Sequence, residues 1–172
     1  LCDPKFQAAF KAIGEDPDKL IDGYVGVINA ALKDAPKGAT FAMHLCRGNN
    51  RGKWLGEGGY GYVASMVFER VNVDAFFLEY DTPRAGDFSP LKHVPKGKRV
   101  VLGLVSSKLP ELESAESLKA RIREAEKHLA LDQLCLSPQC GFASNFLGNP
   151  LTIADEEAKL RRIVEVANDV WR

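Results

Sequence analysis

Cysteine is scarce in this sequence and neither sign of charge prevails. Four cysteines in 172 residues fall far below the density of a disulfide-stapled scaffold, and neither a Cys-x-x-Cys pair nor a finger-like Cys/His spacing occurs. That usage fits a reducing cytosol, so a cytoplasmic protein is expected. The 23 Lys and Arg are matched by 23 Asp and Glu, which leaves no net field to hold nucleic acid or another polyanion. No apolar run reaches the roughly 20 residues that a membrane helix needs. The opening LCDPKFQAAF lacks the charged start and apolar stretch of a secretory signal. Neither nucleic acid nor a membrane is expected as a partner. Repeats, low-complexity tracts and linkers are also missing, so residues 1–172 read as a single domain.

The composition, 45% hydrophobic and 27% charged, is that of a globular protein with a real core. Four short runs rich in apolar, β-branched or aromatic residues predict strands: Thr40 to Leu45, Val73 to Leu78, Arg99 to Val105 and Gln133 to Ser137. Between and around them, helical spacing runs over Asp18 to Lys33, Tyr60 to Arg70, Leu118 to Leu129 and Asp155 to Trp171. Ser114 and Thr152 or Asp155 are placed to cap the last two. In the final helix Leu160, Ile163, Val164, Ala167 and Trp171 are expected on one face. Asp81 to Lys98 has no period and reads as a long loop with a short helix. A helix followed by four strand–helix units is an α/β pattern with parallel pairing. It fits either a small open doubly wound domain or half of a (β/α)8 barrel, because a complete barrel takes about 250 residues.

In both architectures chemistry belongs at the carboxyl ends of the strands. His44 and Cys46 close the first strand two residues apart, so both side chains point the same way. Glu79 ends the second strand and Cys140 follows the fourth. One imidazole, two thiols and a carboxylate at one rim form a set that zinc binds tetrahedrally. A lone His-x-Cys is weak by itself, because buried cysteines often serve as small apolar residues. Cys2 and Cys135 are read that way. Arg47, Arg51 and Arg84, just past strand ends, are placed to clamp a carboxylate or sulfonate, or equally to sit in solvent. The glycine-rich stretch Gly56 to Gly61 matches no phosphate-binding signature and reads as a flexible substrate loop. Trp54 and Tyr60 would line a pocket mouth or pack the loop, and His93 and His128 are read as structural.

The segments HLC, FFLEYD and SPQCG together resemble the zinc-binding elements of the catalytic C-terminal domain of cobalamin-independent methionine synthase and its shorter relatives. The resemblance spans essentially the whole chain. It implies a methionine synthase-like TIM barrel, of which this sequence is the C-terminal half of four βα units, with the N-terminal half absent. It implies His44, Cys46, Glu79 and Cys140 as ligands of Zn2+, and Asp81 with Arg47 and Arg84 as substrate contacts. In that family the third strand of this half ends in a histidine associated with the folate leaving group; here Lys108 stands at the matching place. With an ordinary pKa near 10.4, lysine is a poorer proton donor than imidazole, so a folate donor is in doubt. EYDTPRAG also replaces the usual Glu-Thr-Ser-Arg stretch.

The implied activity is a zinc-dependent thiol S-methyltransferase that converts homocysteine to methionine, with Glu79 and Lys108 in catalytic roles. Its partners would be a small-molecule thiol and an alkyl donor, with a second copy or the other half-barrel covering the open sheet. The alternatives are addition of a small thiol to an alkyl electrophile, as in epoxyalkane:coenzyme M transferase, and a non-catalytic fragment with a structural zinc.

Overall fold

Asp3 and Asp16 each stand before a proline, so a carboxylate can take the first free N–H groups while the ring occupies the first helical position. In the computed structural model, which describes residues 1–172, both start helices. Asp3 accepts from Lys5 N at 2.8 Å to open α1 (Pro4–Ala12), and Asp16 accepts from Asp18 N at 3.0 Å to open α2 (Pro17–Leu32). Strands β1 (Ala42–Leu45), β2 (Ala75–Glu79), β3 (Arg99–Val105) and β4 (Leu134–Pro138) follow. They lie in sequence order in one sheet, every neighbouring pair parallel.

That order decides between the two architectures. Each crossover steps to the next strand in the same direction, so the right-handed connection puts every helix on the same face. A doubly wound sheet reverses direction; this one does not, and it is half of a (β/α)8 barrel. Phe76 and Leu78 of β2, Val100, Leu102 and Leu104 of β3, and Leu134 of β4 point into the helical layer and are buried there with Phe68, Leu118, Ile122 and Val166. On the other face, register aligns His44 with Phe77, Phe77 with Val101 and Val101 with Cys135. No helix covers this row, and Phe77 is 39% exposed.

The helical stretches differ from expectation in two places. Tyr60 to Arg70 keeps its buried spacing, with Tyr60, Val63, Ala64, Val67 and Phe68 all inside. Yet only a 3₁₀ turn at Tyr60–Tyr62 and the one-turn helix α3 (Ala64–Val67) form, because Gly58, Gly59 and Gly61 and the β-branched valines disfavour a longer helix. In α5 (Ile153–Trp171), capped by a reciprocal Thr152–Asp155 box, Leu160 and Val164 are exposed at 42% and 59%. The helix instead turns Lys159 and Val166 inward, with Ile163 half-buried. Helix α4 (Ala115–Glu126) begins at Ser114 as expected, and two 3₁₀ turns occupy the long loop after β2. No helix is long and apolar enough to cross a membrane.

Candidate metal centre

The cluster is assembled from the two outer strands of the sheet. His44 lies in β1 and Cys46 just after it; Cys140 follows β4. The sheet bows enough that donor atoms of all three lie within 4.8 Å of one another. Gly103 helps to bring β4 in. A methyl group at its Cα would stand 2.6 Å from Gln139 Cα and 2.9 Å from Leu78 O, so only glycine admits this approach. At the same point the β3–β4 register shifts, and Gln139 N donates to Val105 O at 2.8 Å. Asn49 Nδ2 then links the loop after β1 to the loop after β4, donating to Ser144 Oγ at 3.0 Å and Gly141 O at 3.3 Å. Cys140 Sγ lies 3.3 Å from Ser144 Oγ.

The donors are electrostatically prepared. Hydrogen bonds from Cys46 and then His44, together with that of Ser144, bring the Cys140 thiol down to about 3, while donation to Cys140 and burial push Cys46 up. The Cys140 sulfur is thus the one inclined to the thiolate form, beside the Cys46 thiol and the His44 imidazole on an open surface: Cys46 and His44 are exposed and Cys140 half-buried. This donor set fits a zinc ion, which takes nitrogen and thiolate sulfur together.

Glu79 does not join the three. Its carboxylate, at 0% exposure, accepts the Arg47 N–H on Oε2 at 2.7 Å, while Oε1 pairs with Arg84 and lies 3.6 Å from Lys108 Nζ. Arg84 also donates to Asp81 Oδ1 at 2.9 Å, and its guanidinium lies 4.5 Å from the centre of the Trp54 ring. Lys108, 1% exposed, makes no hydrogen bond through its ammonium, and burial lowers its pKa against the pull of Glu79 and Asp81. The Arg47 guanidinium is spent on Gly58 O and the Tyr60 hydroxyl, so it braces the site from behind. Arg51 stays at the exposed surface.

Sequence reasoning passed over two organisers. Tyr60 is 1% exposed and its hydroxyl is a hub, accepting from Arg47 at 2.7 Å and Glu79 N at 2.8 Å and lying 3.0 Å from Leu45 O. It joins the ends of β1 and β2, and its side chain also lines an apolar cavity with Val25 and Val63. The glycine-rich stretch beside it is packed, not free, because its N–H groups are used internally: Gly56 N by Arg47 O, Glu57 N by Asp3 and Gly58 N by Arg84 O. Ser106 is the second organiser, with Oγ on Asp81 Oδ2 at 2.9 Å and its N–H on Glu113 at 2.7 Å. A polar residue directly after a buried strand was the available signal. His93 pairs with Glu69 at the surface, and His128 is exposed.

A parallel half-barrel with a His/Cys/Cys cluster at the carboxyl ends of its strands defines a class of (β/α)-barrel proteins with nitrogen and sulfur donors gathered at the rim where such barrels do their chemistry. Residues 33–169 match the family model described as the cobalamin-independent synthase catalytic domain, and the chain belongs to that family. It is 50% identical over 163 residues to the uncharacterized protein YxjG of Bacillus subtilis (strain 168), covering 94% of this chain and 43% of that protein. It is 48% identical over 169 residues to the uncharacterized protein YxjH of the same strain, covering 98% and 45%. Among solved structures, it matches a Listeria monocytogenes protein provisionally assigned as a vitamin-B12-independent methionine synthase. That match has a TM-score of 0.67 and 38% identity, over 92% of this chain and 43% of the other. It also shares its fold with a B12-independent methionine synthase from Shewanella sp. W3-18-1 in complex with selenomethionine. There the TM-score is 0.70 and the identity 23%, over 89% of this chain and 44% of the other. The chain therefore spans less than half the length of the curated relatives it matches.

Proposed function

We propose that this chain carries the thiol-activating centre of a zinc-dependent thiol S-alkyltransferase, with methylation of homocysteine to methionine as its reaction. The observation that carries the proposal is the convergence of His44, Cys46 and Cys140 within 4.8 Å. Those three residues would hold the zinc, and three protein ligands are the number that leaves a tetrahedral position for substrate. Zinc there supplies the Lewis acidity that keeps a substrate sulfur as its thiolate, where a free thiol of pKa about 8.5 is only about 3% ionised at pH 7.

The protein's own residues set the surroundings. Arg84 and Lys108 neutralise Glu79 and Asp81, so this wall carries two cations against two carboxylates. Lys108, in place of an imidazole, favours an alkyl donor other than a folate. The uncovered row of Phe77 and Val101 below the cluster is the floor on which an alkyl group would rest. A complementary half-barrel over that face, in the same polypeptide or another, is part of the proposal and would bring the remaining substrate contacts.

Elemental analysis of the purified chain tests it. About one zinc per chain, lost in Cys140→Ser, is the expected result, with a further sulfur neighbour in the zinc K-edge spectrum on adding homocysteine. A folded chain without zinc, or zinc retained in Cys140→Ser, counts against the proposal.

A further inference from the structure

We infer that Asn49 is a positioning residue: it clasps the loop after β1 to the loop after β4 and so sets how Cys46 and Cys140 stand to one another. The inference rests on the zinc reading of the cluster.

β1 and β4 are the outer strands of the sheet, so the sheet relates the donors they carry only through the two strands between them. The loops above relate those donors directly. Asn49 Nδ2 donates to Ser144 Oγ at 3.0 Å and to Gly141 O at 3.3 Å. Asn145 Nδ2 donates to Asn50 Oδ1 at 3.0 Å. Asn149 accepts from Gly52 N on Oδ1 at 3.2 Å, while its Nδ2 donates to Ser107 O at 2.7 Å. A carboxamide carries donors and an acceptor on one short stem, which is why asparagine can bridge two backbones and bind a neighbouring hydroxyl or amide as well.

The loop after β1 is stiff enough to serve as the fixed side of this clasp. Asn50 N donates to Lys53 O at 2.9 Å and Lys53 N to Asn50 O at 3.1 Å, closing a tight turn. Within it Arg51 and Gly52 take φ of 55° and 77°. A Cβ at Gly52 would stand 2.9 Å from Lys108 O and 2.9 Å from Pro150 Cδ, so the turn is seated against the loops after β3 and β4 at a separation that only glycine allows. Asn49 lies between this turn and Cys46, and its acceptor Gly141 O belongs to the residue after Cys140. Its other acceptor, Ser144 Oγ, is 3.3 Å from Cys140 Sγ. The bonds of this one side chain therefore fall next to both sulfurs, and a metal ion entering the cluster meets donors already held at their spacing.

The test is zinc affinity, read by competition with a chromophoric chelator, beside urea unfolding of the metal-free chain. Asn49→Ala is expected to weaken zinc by about tenfold or more, the usual effect of losing a group that orients metal ligands, and to leave the metal-free urea midpoint unchanged. With Co2+ in place of zinc, the thiolate-to-metal charge-transfer band should also weaken in Asn49→Ala, because Cys140 is no longer held toward the ion. Gly52→Ala pushes the turn off its seat and should weaken zinc in the same direction, which keeps the inference testable if Asn49→Ala does not fold. Asn29 is the control: it ties α2 to Arg70 O and Asn72 N ahead of β2, at the opposite rim, and Asn29→Ala should not change zinc affinity. Zinc binding within about threefold of wild type in both Asn49→Ala and Gly52→Ala, short of the tenfold expected of an orienting group, overturns the inference while the zinc reading stands. So does a weakening that Asn29→Ala matches or that a fallen urea midpoint accompanies. A wild-type chain that binds no zinc overturns both.

Discussion

Cys140 concentrates the chemistry that a single residue can show. Its thiolate is held by Cys46 and His44, and lowering of its pKa means that the reactive form persists as pH falls, while Cys46, shifted up, stays protonated. In metal-free protein, iodoacetamide at about pH 6 should modify Cys140 ahead of Cys46 and Cys2, since the thiolate is the nucleophile. Peptide mapping by mass spectrometry would check this, and first modification at Cys46 would contradict it. The three donors were legible in the sequence because strand alternation puts His44 and Cys46 on one side and Cys140 just past another strand end. The engagement of Glu79 was not. Its partners Arg84 and Lys108 sit on loops whose paths depend on Trp54, Asp81 and Ser106, and no local spacing encodes those contacts. Tyr60 was placed at a pocket mouth or in loop packing, but the contacts of its hydroxyl with Arg47, Glu79 and Leu45 come from segments far apart in sequence and no local spacing encodes them.

Among the elements, α5 shows where periodicity misleads. Leucine and valine at 160 and 164 mark a face by hydropathy, yet the helix buries Lys159, because its ammonium satisfies Glu111 O and Glu113 beneath the loop after β3. A lysine with a long apolar stem can serve as core where its end finds acceptors. Lys159→Met would keep the stem and strip Glu113 of its partner, which should cost about 3 kcal/mol of stability in urea unfolding. A loss below about 0.5 kcal/mol, as for an ordinary surface change, would show that the loop is held by other means. The strands were read closely, β3 to the residue, because apolar runs buried on a parallel sheet stand out in composition. The stretch after Tyr60 was over-read as a helix because the same spacing of apolar residues also serves a turn followed by a single helical turn.

Across the whole molecule, the uniform direction of the crossovers is what identifies a half-barrel, and strand order was the one thing the sequence pattern left open between two architectures. It also sets how metal binding should register. A ligand that binds only the folded chain at a hundredfold above its dissociation constant adds about 2.7 kcal/mol, and the donors converge only once all four strands have paired. Zinc should therefore raise the urea midpoint and a chelator should reverse it; an unchanged midpoint with zinc bound would mean that the donors gather in the unfolded chain as well.

β1 and β4 share no hydrogen bond, yet their ends meet at one cluster of donors. Mechanically the sheet is an arch, β2 and β3 its crown, and the donors a tie-rod between its feet. In such a frame the rod sets the rise of the crown. Whatever ties the donors together thereby bears on the bow of the row between them, Phe77 and Val101.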